Sequence, residues 1–328
     1  MQLNENQLSQ LVFGAYESVY EQDGVQFYRM PDKQARYFEK HSSDFYDKAR
    51  STAGITLDFY TDSDFFSFGY HDIQKGSTRP WCYFDVYLNG ARIASVGEDL
   101  LTKNEYAYST ALPKGENRIT LFFPNLFRAK LTQVTLSDGA TVRPAQKKRR
   151  ILFLGDSITH GYDAKYPSQS YANRVSFQTD SEAVNLAIGG ACFAEDCLDE
   201  TLNYRPDIIV VAYGTNDWCK KAETPRFADC KAFFDKLCHI YPDKPIFYIL
   251  PIRRYRDCET EELQKSFLLT RKKFEEIATA HGRVKIIDLW EDIPNDTALY
   301  SDGLHPNDEG FAYYADGVIK HLKFEDKE

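Results

Sequence analysis

The stretch Ile151-Leu-Phe-Leu-Gly-Asp-Ser-Ile-Thr-His-Gly161 decides the fold of this 328-residue sequence. Its first four residues are apolar, and Gly155 bounds the run. Short runs as apolar as this one are typical of strands buried on both faces of a parallel sheet. Four later runs share this character, and they are Val184–Ile188, Ile208–Ala212, Pro245–Leu250 and Val284–Leu289.

Helical segments separate these runs. The clearest are Arg226 to Ile240 and Glu259 to Ala280, and a third runs from about Asp308 to Leu322. Alternation of strands and helices predicts a three-layer α/β/α domain of flavodoxin-like type around a five-stranded parallel sheet. In such sheets ligands bind beyond the carboxyl ends of the strands.

The N-terminal half of the sequence has a different pattern of apolar residues. It holds several short β-like runs, and Asn89-Gly90 between two of them is a strong hairpin signal. This pattern predicts an all-β sandwich or jelly roll. The polar, proline-containing segment Arg143–Arg150 separates the β-like half from the half with alternating strands and helices. It predicts domains over residues 1–147 and 148–328.

Composition excludes several classes of protein. The net charge of −9 argues against nucleic acid or an anionic membrane as the main partner. No apolar run is long enough to span a bilayer, and residues 1–6 do not resemble a signal peptide. The seven cysteines form no Cys-x-x-Cys pair, which favours free thiols in the cytosol. We therefore expect a cytoplasmic protein, or a secreted one if a leader has been removed.

Ser157 is the first candidate for chemistry. A serine directly after a buried strand lies at the mouth of the sheet, and Gly155 allows the backbone to turn sharply there. A helix that begins beyond it would direct its N–H groups towards an oxyanion. The alternative is a serine that only caps that helix. His160 is interpreted as a helix-start residue near the mouth rather than as a catalytic group.

A base is required to turn a hydroxyl into a nucleophile at neutral pH. Asp302-Gly-Leu-His305 offers one on a single loop after the last strand. The carboxylate of Asp302 would orient the imidazole and stabilise it once protonated. The alternatives are a surface loop histidine and a turn or cap aspartate.

Acyl transfer also needs hydrogen-bond donors at the oxyanion. Three candidates follow different strands, and they are the backbone N–H of Ser157, the backbone N–H of Gly190 and the side-chain amide of Asn216. Gly189 is adjacent to Gly190 and is the alternative donor. Taken singly, the glycines are turn formers and Asn216 is a helix-cap candidate.

Together, these segments resemble the SGNH (GDSL-type) hydrolase family over about Arg150 to Leu322. The four blocks read Gly155-Asp-Ser-Ile-Thr159, Gly190, Gly214-Thr-Asn-Asp217 and Asp302-Gly-Leu-His305, with Ile158 in place of the family's leucine. The resemblance implies that Ser157 is the nucleophile, His305 the general base and Asp302 its partner. It also implies an oxyanion hole formed by Ser157, Gly190 and Asn216, with no metal and no cofactor.

The order of a β-sandwich followed by an SGNH domain resembles two-domain carbohydrate esterases. This resemblance predicts a serine esterase that removes acetyl groups from a small ester or an acetylated saccharide. Trp218, next to Asn216, is the predicted substrate wall, with core packing as the alternative. The competing functions are a lipase, lysophospholipase or thioesterase of the same family, and a non-catalytic carbohydrate-binding protein. The natural alcohol and the oligomeric state stay open.

Overall fold

The computed structural model describes residues 1–202, 204–218 and 226–322, so Cys219 lies outside the described residues. These residues divide into two compact units. The first contains Met1–Lys148 and two short segments, Lys165–Ser168 and Glu182–Val184. The second contains the rest of the described chain, beginning at Arg149.

Antiparallel strands dominate the first unit. They are β1 (Val12–Phe13), β2 (Glu17–Glu21), β3 (Gly24–Tyr28), β4 (Thr56–Thr61), β5 (Phe65–Lys75), β6 (Cys82–Leu88), β7 (Ala91–Glu98), β8 (Glu105–Ala111), β9 (Asn117–Phe122), β10 (Phe127–Leu136) and β11 (Val142–Pro144). One sheet has the order β1-β4-β9-β6-β7, with β11 paired to β4, and the other has the order β2-β3-β10-β5-β8. The predicted antiparallel β domain is confirmed, and its jelly-roll assignment stays a prediction.

Aromatic side chains fill the core of this unit. Phe59 of β4 and Phe66 of β5 approach to 6.3 Å between ring centroids, and Phe84 of β6 lies 4.9 Å from Phe123. All four rings are almost fully buried. Each buried ring contributes about 1.5–3 kcal/mol to folding. The aromatic residues of these strands therefore stabilise the unit from within.

The Asn89-Gly90 hairpin is confirmed. Strands β6 and β7 pair antiparallel on either side of it. Asn89 has φ 52° and Gly90 has φ 88°, the left-handed pair that a tight hairpin turn requires. Three short helices also belong to this unit, and they are α1 (Glu5–Leu11), α2 (Asp32–Glu39) and α3 (Ser43–Ala49).

The C-terminal half of the chain contains a five-stranded parallel sheet, as predicted. Its strands are β12 (Arg149–Gly155), β13 (Ser181–Asn185), β14 (Ile208–Ala212), β15 (Ile246–Ile249) and β16 (Val284–Ile287), in the order β13-β12-β14-β15-β16. Strand β13 ends three residues earlier than predicted. The backbone N–H groups of Leu186 and Ile188 still donate to the carbonyl oxygens of Phe153 and Gly155 of β12. Leu186 and Ile188 are buried there, which explains why the residues beyond the strand are also apolar.

The helices of this half are α4 (Ser157–His160), α5 (Tyr171–Gln178), α6 (Phe227–Ile240), α7 (Glu261–Thr279) and α8 (Asp308–Leu322). Three-residue 3₁₀ helices cover Pro167–Gln169, Glu195–Cys197 and Thr297–Leu299. Helix α5 packs against α8, and α6 packs against α7. Within the described part of the chain, no helix combines the length and the apolar character needed to cross a membrane.

Candidate active site

The nucleophile candidate lies on a sharp turn after β12. A Cβ atom on Gly155 would lie 2.8 Å from the carbonyl oxygen of Ala212, so this close approach of two strands requires glycine. Asp156 caps helix α4 by accepting a hydrogen bond from the backbone N–H of Ile158 at 3.1 Å. Ser157 is thus the first helical residue and not the cap, which leaves its hydroxyl for another partner. Helix α4 has a single turn, so its dipole is smaller than that of a helix of several turns.

Ser157, His305 and Asp302 come together in the described structure. Ser157 Oγ lies 2.7 Å from His305 Nε2, and both residues are buried. On the other side of the ring, His305 Nδ1 lies 3.0 Å from Asp302 Oδ2. A carboxylate only accepts hydrogen bonds, so Nδ1 carries the proton and Nε2 accepts from the serine hydroxyl. This is the tautomer that a general base needs.

The loop that carries His305 is fixed by its own aspartate. Asp302 Oδ1 accepts the backbone N–H groups of Leu304 at 3.1 Å and His305 at 2.9 Å. Arg256 Nη1 donates to Asp302 Oδ2 at 3.0 Å. Burial alone would raise the pKa of Asp302, but the hydrogen bonds from His305 and from the backbone outweigh it and hold that pKa well below its ordinary range. The carboxylate therefore stays ionised throughout the neutral range.

The turn after β13 distinguishes the two glycine candidates. The backbone N–H of Gly189 donates to His160 Nδ1 at 3.2 Å and is therefore occupied. Gly190 is exposed and has φ 88°, and its N–H donates to no protein acceptor in the described chain. The buried ring of His160 thus serves to hold Gly189. This arrangement favours Gly190 as the oxyanion donor.

Asn216 lies beside the same turn. Its Nδ2 donates one hydrogen to the carbonyl oxygen of Ala191 at 3.0 Å, and the second hydrogen is left for a ligand. Asp217 ties the neighbouring loops together, because it accepts the backbone N–H of Phe193 at 2.9 Å and that of Gly214 at 3.1 Å. The loops after β13 and β14 are therefore held in one arrangement around the candidate donors.

Two buried carboxyls support these loops. Burial raises the pKa of Asp156 to about 7, against the hydrogen bond from Ile158, and the nearby charge of Asp217 adds to the increase. Burial likewise raises the pKa of Asp217 to about 7, against the hydrogen bonds from Phe193 and Gly214. Both groups therefore bind a proton in the folded state at pH values where the unfolded chain has lost it.

We expect the Asp156→Asn variant to lose less stability than the wild type as the pH rises. The unfolded pKa of an aspartate is about 3.9, whereas that of folded Asp156 is about 7. Stability therefore falls as pH rises between these values, by up to about 4 kcal/mol for this one group. Asparagine keeps the helix cap and removes the charge.

Urea unfolding at about pH 5 and about pH 8 measures this difference. The variant should lose less stability than the wild type between the two conditions. The exposed Asp316 of α8 provides the matched control, Asp316→Asn, which should behave as the wild type does. Equal pH dependence in Asp156→Asn and the wild type would contradict the expectation.

Trp218 does not have the exposure of a substrate wall. It is only 4% exposed and packs edge-on against Phe267 at 5.5 Å, in a cluster with Cys258. Its Nε1 donates to Ser266 Oγ at 3.3 Å. These contacts fix the indole within the core beside Asp217. The structure favours the core-packing alternative.

One group of described residues has the spacing of a metal site. Single ligand atoms of Asp163, Asp302 and His305 all lie within 4.8 Å of one another. His305 Nδ1 is hydrogen-bonded to Asp302 Oδ2 at 3.0 Å and lies 3.4 Å from Asp163 Oδ2, so the contacts of this imidazole bring the three residues together. Asp163 and Arg256 were not identified from the sequence. Neither stands in a motif, and only the folded loops bring Asp163 to His305 and Arg256 to Asp302.

The fold and this Ser-His-Asp arrangement define a serine hydrolase. Residues 153–313 match the family model described as the GDSL-like Lipase/Acylhydrolase family. The C-terminal domain belongs to that family, and the chain is a carboxylic ester hydrolase. A comparison with curated proteins gives no significant match.

Solved structures resemble the chain over nearly its whole length. A salicylyl-acyltransferase, SsfX3, from a tetracycline biosynthetic pathway is 20% identical with a TM-score of 0.78, covering 95% of this chain and 93% of that one. A family two carbohydrate esterase from Clostridium thermocellum in complex with cellohexaose is 14% identical with a TM-score of 0.64, covering 95% and 98%. The acetyl xylan esterase Est2A from Butyrivibrio proteoclasticus is 14% identical with a TM-score of 0.62, covering 96% and 95%. At these identities the likeness establishes the fold.

Proposed function

We propose that this chain is a carbohydrate O-deacetylase that hydrolyses short acyl esters through an acyl-enzyme on Ser157. The observation that carries the proposal is the 2.7 Å contact between Ser157 Oγ and His305 Nε2, with Asp302 on the opposite ring nitrogen. The neighbours described as a carbohydrate esterase and an acetyl xylan esterase support the choice of substrate.

In the first half-reaction Ser157 Oγ attacks the carbonyl carbon of the acetyl group while His305 Nε2 takes the hydroxyl proton. The tetrahedral oxyanion accepts hydrogen bonds from the N–H of Ser157, the N–H of Gly190 and the amide of Asn216. His305 then gives the proton to the sugar oxygen as the ester bond breaks. Asp302 stabilises the imidazolium throughout.

In the second half-reaction the acetyl group leaves the enzyme. His305 removes a proton from water as the water attacks the acyl carbon, and the same donors hold the second oxyanion. Collapse of this intermediate returns the proton to Ser157 Oγ and releases acetate. The cycle needs no group beyond the side chains and backbone of this domain.

A panel of esters tests the substrate class. Acetylated mono- and oligosaccharides should be hydrolysed with kcat/KM of about 10⁴ M⁻¹s⁻¹ or more, and p-nitrophenyl acetate should be turned over far faster than p-nitrophenyl octanoate. Preference for octanoate or for a lysophospholipid would indicate a lipase instead. Sugar binding without any turnover would indicate a carbohydrate-binding protein.

Product analysis separates hydrolysis from acyl transfer. An acyl-enzyme passes its acyl group either to water or to a second alcohol, and one structural neighbour is described as an acyltransferase. Free acetate should account for the ester consumed, even with excess monosaccharide present. Transfer of most acetyl groups to the added sugar would assign the chain to acyl transfer. The cytoplasmic location and the lack of nucleic-acid or membrane partners stay predictions.

A further inference from the structure

The turn that follows the nucleophile has an unusual backbone. Gly161 ends helix α4 with φ 98°, and Asp163, two residues later, has φ 66°. Between them, the N–H of Tyr162 donates to the carbonyl oxygen of Ser157 at 2.9 Å. Left-handed conformations are rare outside glycine, although aspartate and asparagine tolerate them better than most residues. The chain therefore folds back towards Ser157 immediately after passing it.

This turn places two side chains, those of Tyr162 and Asp163, next to His305. The ring of Tyr162 stacks on the imidazole, with centroids 5.8 Å apart and planes inclined by 30°. The carboxylate of Asp163 lies beside the same imidazole, with Oδ2 3.4 Å from Nδ1. Nδ1 is also the atom that faces Asp302, so one ring nitrogen has two carboxylates within reach.

The two carboxylates have different surroundings. The side chain of Asp302 is 30% exposed and shares its charge with Arg256 and two backbone N–H groups. The side chain of Asp163 is only 3% exposed. A charge held away from water acts more strongly on its neighbours than an exposed one. Asp163 is therefore well placed to act on His305 despite the longer distance.

We propose that Asp163 is a positioning residue that acts as a second acceptor for the Nδ1–H of His305. It holds the imidazole in the tautomer that accepts the serine proton, and it stabilises the imidazolium together with Asp302. When Asp302 loses its charge, Asp163 sustains part of the activity. The expected kinetic effects rest on the proposed function. The hydrogen bond between His305 and Asp163 does not depend on it.

Several elements of the described chain supply groups that face His305. Its own loop supplies Asp302, the turn after α4 supplies Tyr162 and Asp163, and α4 supplies Ser157. The loop after β15 supplies Arg256, which contacts Asp302. Arg256 is the cation among them, and it is paired with Asp302, so removal of Asp163 takes away a carboxylate that lies 3.4 Å from His305 Nδ1.

Three variants on the full chain test the proposal: Asp302→Asn, Asp163→Asn and the double variant. In a triad with one carboxylate, aspartate to asparagine lowers kcat about 10⁴-fold through the wrong tautomer. Here Asp302→Asn should lose only about 10²-fold, and the double variant should reach the full 10⁴-fold. Equal losses in Asp302→Asn and the double variant would overturn the proposal. Asp316→Asn is the matched control.

The pH profile separates positioning from a purely structural role. Asp163→Asn should move the acid limb of kcat/KM to lower pH, because an imidazolium loses a stabilising charge. A loop that is merely disturbed would lower the rate with the limb unmoved, which would contradict the proposal. Asparagine tolerates the left-handed backbone, and Asp163→Gly removes the carboxylate at the same φ if the first variant unfolds.

A proton NMR measurement needs no substrate. The downfield resonance of a hydrogen-bonded His305 Nδ1–H should persist in Asp302→Asn and disappear in the double variant. Loss of the resonance in Asp302→Asn alone would refute the second acceptor. Absence of esterase activity with this pattern intact would refute the proposed function and leave the hydrogen bond standing.

Discussion

Ser157→Ala is expected to abolish turnover of acetyl esters. The variant loses the only atom to which the acyl group attaches, and His305 Nε2 loses its partner at 2.7 Å. In enzymes with this machinery such a change lowers kcat on the order of 10⁶-fold. The initial rate with p-nitrophenyl acetate and with an acetylated saccharide measures it. We expect both rates to fall by about this factor, to the small residual rate that the intact oxyanion donors sustain over the uncatalysed reaction.

Two controls sharpen this result. Ser9→Ala changes an exposed serine of α1 in the other unit and should leave the rate unaltered. The double variant Ser157→Ala, His305→Ala should be no slower than either single variant, because the two residues act as a unit. Residual activity of Ser157→Ala above a tenth of the wild-type rate would mean that another nucleophile does the chemistry.

Asn216→Ala should lower kcat about 10²–10³-fold. This decrease corresponds to a loss of about 2.7–4 kcal/mol of transition-state stabilisation. The reason is that the amide hydrogen left after the bond to Ala191 is offered to an oxyanion that exists only in the transition state. KM should therefore change little. Steady-state kinetics at saturating and limiting ester concentrations separate the two parameters.

Asn216 also anchors the turn after β13 through its bond to Ala191. The thermal unfolding of the Asn216→Ala variant must therefore be measured together with its kinetics. A wild-type kcat in a folded Asn216→Ala variant would remove this residue from the oxyanion hole. A rise in KM with kcat unchanged would show that the amide binds the substrate in its ground state instead. Either outcome would leave Ser157 and Gly190 as the remaining donors.

The fold of the second unit was largely predictable, because buried parallel strands have a strong signature. The apolar run Ile208–Ala212 predicts β14 with its observed bounds, because five apolar residues end there at a tyrosine and a glycine. The first 50 residues carry no comparably strong signal. Helices α2 and α3 have eight and seven residues, and helices this short depend on packing rather than on their own sequence.

The candidate site was also predictable only in part. Ser157 and His305 were found because each follows a strand and stands in a motif. The choice between Gly189 and Gly190 depended on the buried ring of His160, whose partner no spacing reveals. Asp163 reaches His305 only through a turn with two left-handed residues, and Trp218 carries the same sequence signal whether it packs or binds.

The central claim is that the acyl group passes through Ser157, and trapping that intermediate tests it most directly. The wild-type chain, mixed with p-nitrophenyl acetate and quenched in acid during the first turnover, is digested and analysed by peptide mass spectrometry. We predict one added acetyl group on the peptide that contains Ser157, and no such group in Ser157→Ala. Acetyl transfer to a different residue, or hydrolysis without any labelled peptide, would contradict it.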